Sequence, residues 1–472
     1  MALQSIRMNR RQLVLGAGGL LSSLYFSGKA LSASGQAVKL FASESKVDLV
    51  RTGTPTNVWA FNNAVPGPEI RVRRGDQLRV RVKNELREET TVHWHGIRLP
   101  NSMDGVPYLT QQPIKSGEEF EYSFVCPDAG TYWYHPHQRS FEQVGRGLYG
   151  PLIVEDNAPL AIDREITWVL GDWRLQSDAS ISNDFGHLHD ITHAGRIGNT
   201  VTVNGQVVED VAVDAGERIR LRMINAATAR IFGLDFENHS PLIIAYDGHS
   251  VEPHSPENKL VVLAPGTRID VLLDFNGEAD GKYRVVDRYY RGRDYRLLNF
   301  AYGTKRSEKA RSGSPQLSPN QLPEPDIASA VRHEIVLDGG MMSGMQSAIV
   351  DEEELDLRAL IRKRLFWAIN GVAATSHVHK PMATLKLGQS CVLKVVNRSG
   401  WPHPMHLHGH AFRLLSRNGQ PAKYREWLDT VLIAAREEVE IAFVADNPGD
   451  WMFHCHILEH DVGGMRGVIR VA

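Results

Sequence analysis

Residues 452–465 read Met-Phe-His-Cys-His-Ile-Leu-Glu-His-Asp-Val-Gly-Gly-Met, and this stretch decides the interpretation of the whole chain. On a β-strand, alternate side chains point to opposite faces, so the two histidines that flank Cys455 share one face and the cysteine takes the other. His460 and Met465 follow in a short loop and can return to the cysteine side. A thiolate, a nearby and a distant histidine and a weak axial methionine form the ligand set of a blue-copper electron-transfer site. The stretch therefore predicts two metal sites joined through Cys455.

Length and composition exclude several classes of protein. A chain of 472 residues predicts about three domains. The 53 Lys and Arg residues nearly balance the 55 Asp and Glu residues, so the charge gives no sign of a nucleic-acid-binding surface. Three cysteines are too few for a disulfide framework. Cys126 and Cys391 are free to form one disulfide, but we expect two unlinked thiols in the core.

The N-terminus has the pattern of an export signal. Arg10 and Arg11 precede an uncharged run over residues 13–27, which is too short to span a bilayer. Small residues between 30 and 37 offer cleavage sites. We interpret residues 1–37 as a twin-arginine signal peptide read by the twin-arginine export machinery. The mature protein is then expected in the periplasm or outside the cell, without a membrane anchor.

One spacing recurs three times in the chain. A glycine is followed nine residues later by an asparagine and, in two of the copies, eighteen residues later by a His-x-His pair; the glycines and asparagines are Gly75 and Asn84, Gly216 and Asn225, and Gly388 and Asn397. The middle copy has Leu234 and Phe236 in the histidine positions. A second signature, at residues 130–137 and 449–456, also lacks histidines in its middle counterpart at 281–285. Three copies of one structural unit are therefore predicted, with metal ligands in the first and third.

The predicted units are β-sandwiches, because short alternating runs such as Ile70-Arg71-Val72-Arg73 are separated by Gly, Pro, Asn and Asp turns. The repeats place the first domain at residues 38–160 and the second at 161–305. A Ser-, Pro- and charge-rich linker at 306–330 precedes the third domain at 331–472. Only residues 351–364 show a convincing helical pattern, with acidic residues in the first turn.

Four His-x-His pairs come from the first and third domains. Each pair on a strand aims both rings at one face, so their convergence gives eight imidazoles, enough for three copper ions. These histidines are His93, His95, His135, His137, His406, His408, His454 and His456. His403, His460 and Met465 are left to complete a separate mononuclear site with Cys455.

These motifs resemble those of the multicopper oxidases, and most nearly those of the bacterial three-domain laccases and cuprous oxidases. The motifs are His-Trp-His-Gly at 93–96, His-Pro-His at 135–137, His-Pro-Met-His-Leu-His-Gly at 403–409 and His-Cys-His at 454–456, and the resemblance covers essentially the whole mature chain. It implies three cupredoxin-like Greek-key β-sandwich domains and four copper ions. It also implies four one-electron oxidations of a donor, coupled to the reduction of dioxygen to water.

The resemblance assigns a role to each ligand. Cys455, His403 and His460 would bind a type 1 copper with Met465 as axial ligand. His93 and His406 would bind a type 2 copper. The type 3 pair would be bound by His95, His135, His137, His408, His454 and His456.

Two carboxylates are the candidates for proton delivery. By the resemblance, Asp104 lies where the family places an acid near the type 2 copper. Asp461 directly follows His460, where the bacterial relatives usually carry a glutamate, so this side chain is one methylene shorter.

The remaining histidines are given non-ligand roles. We interpret His187, His189 and His193, and likewise His377 and His379, as surface or turn residues, because the glycine and asparagine landmarks are absent at the right offsets. His249 is expected in a turn of the second domain. His410 follows a ligand pair and is a candidate for supporting it.

The expected activity is laccase-like oxidation of phenols or aromatic amines by a monomer. One alternative is a periplasmic cuprous oxidase for copper tolerance, suggested by Met341, Met342 and Met345, since thioethers prefer Cu(I). A second alternative is a non-enzymatic cell-division protein on the same fold, which would not need the ligands that this chain retains.

Overall fold

The structure is a computed structural model that describes residues 31–32, 37–158, 160–306, 316–375 and 380–472. Its secondary structure is almost entirely strand, which confirms the predicted all-β class. Three cupredoxin-like sandwiches follow one another along the chain.

The first domain combines a five-stranded with a four-stranded sheet. In sheet order the strands are Leu31–Ser32, Ile70–Arg73, Gly150–Glu155, Gly130–His135 and His93–His95, and then Thr56–Phe61, Val38–Val47, Gln77–Asn84 and Glu119–Val125.

The second domain has sheets of six and five strands. Their order is Thr200–Val203, Arg164–Trp173, Arg218–Asn225, Arg268–Asp274, Leu242–Tyr246 and His249–His254, and then Asp210–Ala215, Tyr295–Arg306, Lys282–Asp287, Phe232–Phe236 and Val261–Leu263.

The third domain has sheets of seven and five strands and a separate hairpin of Ser347–Val350 with Glu353–Asp356. The larger sheet contains Trp367–Ile369, Val331–Gly339, Ser390–Asn397, Glu438–Val444, Phe412–Arg417 and Gln420–Pro421, with Trp427–Leu428 paired to Phe412–Arg417. The smaller sheet contains Ala383–Leu385, Arg466–Val471, Gly449–Cys455, His403–Leu407 and Thr430–Ile433.

The glycine and asparagine of each repeat do the same structural work. Gly75, Gly216 and Gly388 have φ of 87°, 79° and 79°, a region that favours glycine, and each begins the turn into the strand that its asparagine ends. Each buried asparagine accepts a bond from the backbone N–H two residues on and donates to two backbone carbonyls. The repeat therefore sets the chain direction that leads to the His-x-His positions.

In the described part of the chain, short helices lie between some of the strands. The α-helices are Ser140–Gln143, Leu188–Thr192, Leu357–Lys363 and Leu458–Val462, and the 3₁₀ turns are Asn101–Met103 and Glu257–Lys259. None of the helices in the described ranges has the length and apolar character that crossing a membrane would require.

The helix predicted over residues 351–364 is wrong in its first half. Asp351 and Glu352 have φ of 51° and 70° and form the turn of the hairpin, so their acidic side chains do not begin a helix. Asp356 is the true N-cap, because its carboxylate accepts the N–H of Ala359 at 2.8 Å.

The cores show how the domains join. Buried apolar residues of the first and third domains form one continuous cluster, and most of those of the second domain form a cluster of their own. A third cluster joins apolar residues of the first and second domains. Cys126 and Cys391 are buried and unlinked, as expected. Residues 316–330 carry no helix or strand, and His377 and His379 lie outside the described residues.

Most of the predicted signal segment also lies outside the described residues. Leu31 and Ser32, which belong to that segment, pair in parallel with Ile70 and Arg71 in the first domain. Cleavage after residue 33 or 37 would remove this pairing.

Candidate metal centres

The first centre forms where two antiparallel strands of the third domain meet. Cys455 pairs with Met405 at the end of its strand, and its Sγ lies 3.5 Å from His403 Nδ1 and 3.7 Å from His460 Nδ1. The two Nδ1 atoms are 3.1 Å apart. All three ligand residues are fully buried. The structure thus brings together one thiol and two imidazoles that are distant in sequence.

Hydrogen bonds at the outer nitrogens orient these two rings. His460 Nε2 donates to the His193 carbonyl at 2.6 Å, and His403 Nε2 lies 2.7 Å from Ser399 Oγ. Because a carbonyl only accepts, His460 carries its proton on Nε2 and turns an unprotonated Nδ1 toward the sulfur. Burial lowers the pKa of His403 and raises the pKa of the Cys455 thiol.

Met465 is held beside the same group by its backbone. Its N–H donates to the His460 carbonyl at 3.0 Å, and its carbonyl accepts the N–H of Cys455 at 3.1 Å. Its side chain is buried. A thiolate, two imidazoles and a nearby thioether are the donor set of a blue-copper site.

The eight remaining histidines predicted as ligands converge between the first and third domains. Strand pairing sets His93 opposite His135 and His406 opposite His454. Ligand atoms lie within 4.8 Å of one another in three buried groups, which are His93, His95 and His406, then His95, His135 and His456, then His137, His408 and His454.

Inward-facing nitrogens of this cluster fit a set of metal ions. Among the described residues, the Nε2 atoms of His93, His135, His137 and His406, the Nδ1 of His95 and both ring nitrogens of His456 are buried without a hydrogen-bond partner. The opposite nitrogens are bonded outward, for example His93 Nδ1 to the Asp104 carbonyl and His406 Nδ1 to the Asp429 carbonyl, both at 2.8 Å. Because buried polar atoms are normally bonded, so many converging imidazole nitrogens indicate metal ligation, and imidazole suits copper.

Both predicted carboxylates lie against the cluster. Asp104 Oδ2 accepts from His408 Nδ1 at 2.9 Å, and its Oδ1 is 3.2 Å from His93 Nδ1. Asp461 is buried between Arg466, at 2.7 Å, and His454 Nδ1, at 3.6 Å. Burial raises the pKa of Asp461 to about 6.

Sequence reasoning missed a carboxylate and an arginine that cross domains. Asp429 Oδ1 lies 3.1 Å from His95 Nε2 and accepts from Arg268 Nη1 at 2.8 Å. Arg268, from the second domain, also donates to the carbonyls of Thr131 and Asp247, at 3.1 and 3.0 Å. Burial and then the neighbouring Asp429 raise the pKa of Asp247 to about 7. Neither residue belongs to a local sequence motif. Their interaction is visible only in the folded structure, where the second and third domains meet.

The second domain approaches the cluster with backbone rather than with ligands. Leu234 and Phe236, in the repeat's histidine positions, are buried in that domain's core. A Cβ added at Gly266 would come within 2.8 Å of the His456 ring. Glycine is required there by this approach and by a φ of 86°.

The roles of two further residues near Cys455 were not anticipated. Glu459 is fully buried, neither of its carboxylate oxygens has a partner among the described residues, and burial raises its pKa to about 7. His193 lies in the turn after helix Leu188–Thr192, as expected of a surface or turn residue, and its carbonyl also accepts the hydrogen bond that holds His460. A backbone contact of this kind has no side-chain signature in a sequence.

The other histidines behave more simply. His187 and His189 are exposed, and His249 is buried at the start of a strand with its Nδ1 3.0 Å from the Asn320 amide. His410 is buried, with Nδ1 3.3 Å from the His408 carbonyl, and burial lowers its pKa to about 4.

A cavity leads to one side of the histidine cluster. It has a volume of about 280 Å³ and is lined by His137, Tyr108, Met452 and Arg466, among others. Arg466 is the ion-pair partner of Asp461, so the cavity wall contains both a histidine of the cluster and the partner of the buried acid.

Comparison with known proteins agrees with this geometry. Family models described as multicopper oxidase match residues 44–159, 164–307 and 351–472. The chain is 30% identical to the multicopper oxidase MmcO of Mycobacterium tuberculosis, over 95% of this chain and 90% of that protein. The multi-copper oxidase of Pseudomonas thermotolerans superposes with a TM-score of 0.81 at 32% identity, covering 94% of this chain and all of that one.

A multicopper oxidase of Campylobacter jejuni described as a metallo-oxidase superposes with a TM-score of 0.77 at 29% identity, over 94% and 95% of the two chains. Matches of this extent, on a fold whose buried imidazoles and thiol converge as copper ligands do, mean that the chain belongs to the multicopper oxidases and is an oxidoreductase.

Proposed function

We propose that this protein is a laccase-type oxidase that takes electrons one at a time from phenols or aromatic amines and reduces dioxygen to water with four of them. The observation that carries the proposal is the position of Cys455. Its thiol faces His403 and His460, while its neighbours His454 and His456 belong to two different groups of the histidine cluster. Two covalent branches therefore run from one donor site to the cluster.

Four copper ions are proposed, held as the resemblance implies. His403, Cys455, His460 and Met465 would hold the type 1 ion, and His93 and His406 would hold the type 2 ion. Two sets of three would hold the type 3 pair, His95, His135 and His456, and His137, His408 and His454. When bound, copper supplies the one-electron redox chemistry and the binding of dioxygen.

The chain's own residues orient the ligands and handle protons. Outward hydrogen bonds, such as those of His93 and His406 to backbone carbonyls, fix which ring nitrogen faces the cluster. Asp104 and Asp461 are the proposed proton carriers. A pKa of about 6 lets Asp461 both hold and release a proton near neutral pH.

We further propose export by the twin-arginine route to the periplasm, or secretion, with the mature protein acting as a monomer. The support is the ordered charged, apolar and small-residue pattern of residues 1–37.

Cuprous oxidation is the second candidate activity, and it rests on two exposed methionines. Met341 and Met342 are 53% and 81% exposed, and thioethers favour Cu(I). Met345 differs from them, because it packs against the small apolar cluster around Leu360. The similar Campylobacter jejuni protein is described as a metallo-oxidase. A non-enzymatic role is disfavoured, since a scaffold has no use for buried imidazoles without partners.

Oxygen uptake by the copper-loaded protein tests the proposal, with 2,6-dimethoxyphenol and Cu(I) as alternative donors. Laccase-type activity predicts oxygen consumption with the phenol, at one dioxygen for four electrons. Met341→Leu with Met342→Leu should slow Cu(I) oxidation alone, and Met345→Leu is the matched control. If neither the phenol nor Cu(I) supports oxygen uptake, the proposed function is wrong.

A further inference from the structure

A buried tryptophan covers both imidazoles of the centre around Cys455. Trp367 begins the strand Trp367–Ile369, and its side chain is fully buried. The centroid of its ring lies 4.2 Å from that of His460, with the planes at 36°, and 5.0 Å from that of His403, with the planes at 80°. One side chain therefore packs against both rings whose Nδ1 atoms face the sulfur.

The same indole is hydrogen-bonded to the second domain. Its Nε1–H donates to the Ile191 carbonyl at 2.6 Å, in a buried bond. Ile191 lies in the last turn of helix Leu188–Thr192, where carbonyls have no partner within the helix. Two residues further on, the His193 carbonyl accepts from His460 Nε2 at 2.6 Å. The end of one short helix thus holds both the tryptophan and one of the imidazoles that it covers.

Glycines leave the space that the indole occupies. A Cβ added at Gly463 would lie 2.8 Å from Trp367 Cδ1, and one added at Gly340 would overlap the other end of the indole ring. The Gly463 carbonyl also accepts the Trp367 N–H at 3.1 Å. Gly463 lies two residues before Met465, so the segment that carries the proposed axial ligand is packed directly on this side chain.

We propose that Trp367 is a positioning residue that fixes both imidazole ligands and sets the reduction potential of the type 1 centre. A fully buried indole excludes water from its side of the two rings. One-electron reduction lowers the charge of the centre, so surroundings without water favour the reduced state and raise the potential. The inference rests on the proposed oxidase function, because it concerns the site at which that function accepts electrons.

The second domain acts on the centre through this indole as well as through His460. His403 is bonded to Ser399 of its own domain, with 2.7 Å between Nε2 and Oγ. The Trp367 ring connects His403 to the helix end in the second domain, because it contacts the one and is bonded to the other. A shift of that helix end would therefore be passed to both imidazoles.

The reduction potential of the copper-loaded protein tests the proposal without any substrate. Anaerobic titration against a mediator of known potential, followed by the blue absorption, measures it. Trp367→Ala should move the equilibrium toward the oxidised state by at least about tenfold, or about 59 mV for one electron, because partners that orient metal ligands are typically worth about 10–100-fold. Trp367→Phe keeps a ring against the imidazoles but cannot donate to Ile191, and its shift should be smaller and in the same direction.

A second tryptophan provides the matched control. Trp168 is also buried, but it stacks on Phe236 and Phe300 in the core of the second domain. Trp168→Phe should lower the stability of the protein and leave the type 1 potential at the wild-type value. The copper hyperfine splitting in electron paramagnetic resonance should change in Trp367→Phe and not in Trp168→Phe, because only the first variant frees the ligand rings to reorient.

An unchanged potential and an unchanged hyperfine splitting in the Trp367 variants would overturn the proposal, even if both proteins are less stable than wild type. A raised potential would overturn it as well. If Trp367→Ala does not fold, Trp367→Phe alone decides. Failure of the proposed function has a different signature, which is the absence of oxygen uptake with any donor while the titration still reports the potential.

Discussion

The first and second domains share one frame, which is the turn and strand set by the repeat's glycine and asparagine. They differ in the side chains at the positions that follow this frame. Gly216 and Asn225 make the same turn and the same three hydrogen bonds as Gly75 and Asn84. At the following positions the first domain has His93 and the second has Leu234, which is buried in a core of its own. The frame therefore specifies the sandwich, and the ligands are an addition that a sandwich can lose without losing its fold.

The largest expected effect comes from removing the thiol in the third domain. Cys455→Ser should abolish the blue thiolate-to-copper absorption and stop donor oxidation, because serine cannot supply the thiolate that joins the two centres. Copper binding by the histidine cluster should persist, as measured by metal content and electron paramagnetic resonance. Cys391→Ser, a buried thiol of the same domain, should stay blue. A blue Cys455→Ser protein would contradict the ligand assignment.

A smaller but still large effect is expected at the proton carriers. Asp104→Asn keeps the shape of the side chain but cannot pass on a proton. Dioxygen reduction should slow by about 10²–10⁴-fold, the usual value of general acid–base help. Stopped-flow reoxidation by oxygen measures this step, and anaerobic reduction of the type 1 centre should remain near wild type. Asp461→Asn should show the same pattern more weakly, and unchanged reoxidation in both variants would exclude this pair from proton delivery.

Putting histidines into the second domain sharpens the comparison. Leu234→His with Phe236→His recreates the missing pair in sequence but not the partner histidines that face it in the other domains. The variant should bind no additional copper. It should lose about 3–5 kcal/mol of stability, because large apolar side chains are replaced by unpartnered polar rings. Metal analysis and chemical unfolding test both statements, and an additional bound copper would show that the frame alone builds a site.

The smallest effect concerns Glu459 in the metal-free protein. Burial raises its folded pKa from 4.5 to about 7, so folding favours the protonated form. The stability that protonation brings is complete below the unfolded pKa of 4.5 and is lost as the pH rises through 7.

Glu459→Gln stays neutral at every pH. Relative to wild type it should therefore gain stability, by at most about 3 kcal/mol, between about pH 5 and about pH 8. Thermal unfolding curves of wild type and Glu459→Gln, recorded at both pH values, measure the difference in stability. The histidines are the same in both proteins, so their titration cancels in this difference. A constant difference would mean that Glu459 finds a charged partner when ionised.

Much of the molecule could be predicted because its signals are local. The fold follows from the glycine and asparagine spacing, and each predicted histidine and cysteine ligand lies in a group where the structure brings ligand atoms together. Asp429 and Arg268 could not be predicted in the same way, because each acts through a partner in another domain.

The error at residues 351–364 has a similar cause. Acidic residues favour a helix start and also suit a tight turn, and the pairing of Ser347–Val350 with Glu353–Asp356 decides between the two. The role of His193 was hidden for a different reason, since the atom that matters belongs to the backbone.

Arg268 links the three domains to one another by hydrogen bonds. From the second domain it bonds to Thr131 of the first and to Asp429 of the third, and Asp429 in turn touches His95. The second domain, which has no ligands, is thus hydrogen-bonded through Arg268 to a residue that contacts the histidine cluster. Its sandwich is not an interchangeable spacer, because a domain exchanged from a relative would have to bring its own arginine at this point. Recombining such oxidases by whole domains should succeed only where that single guanidinium finds the same two neighbours.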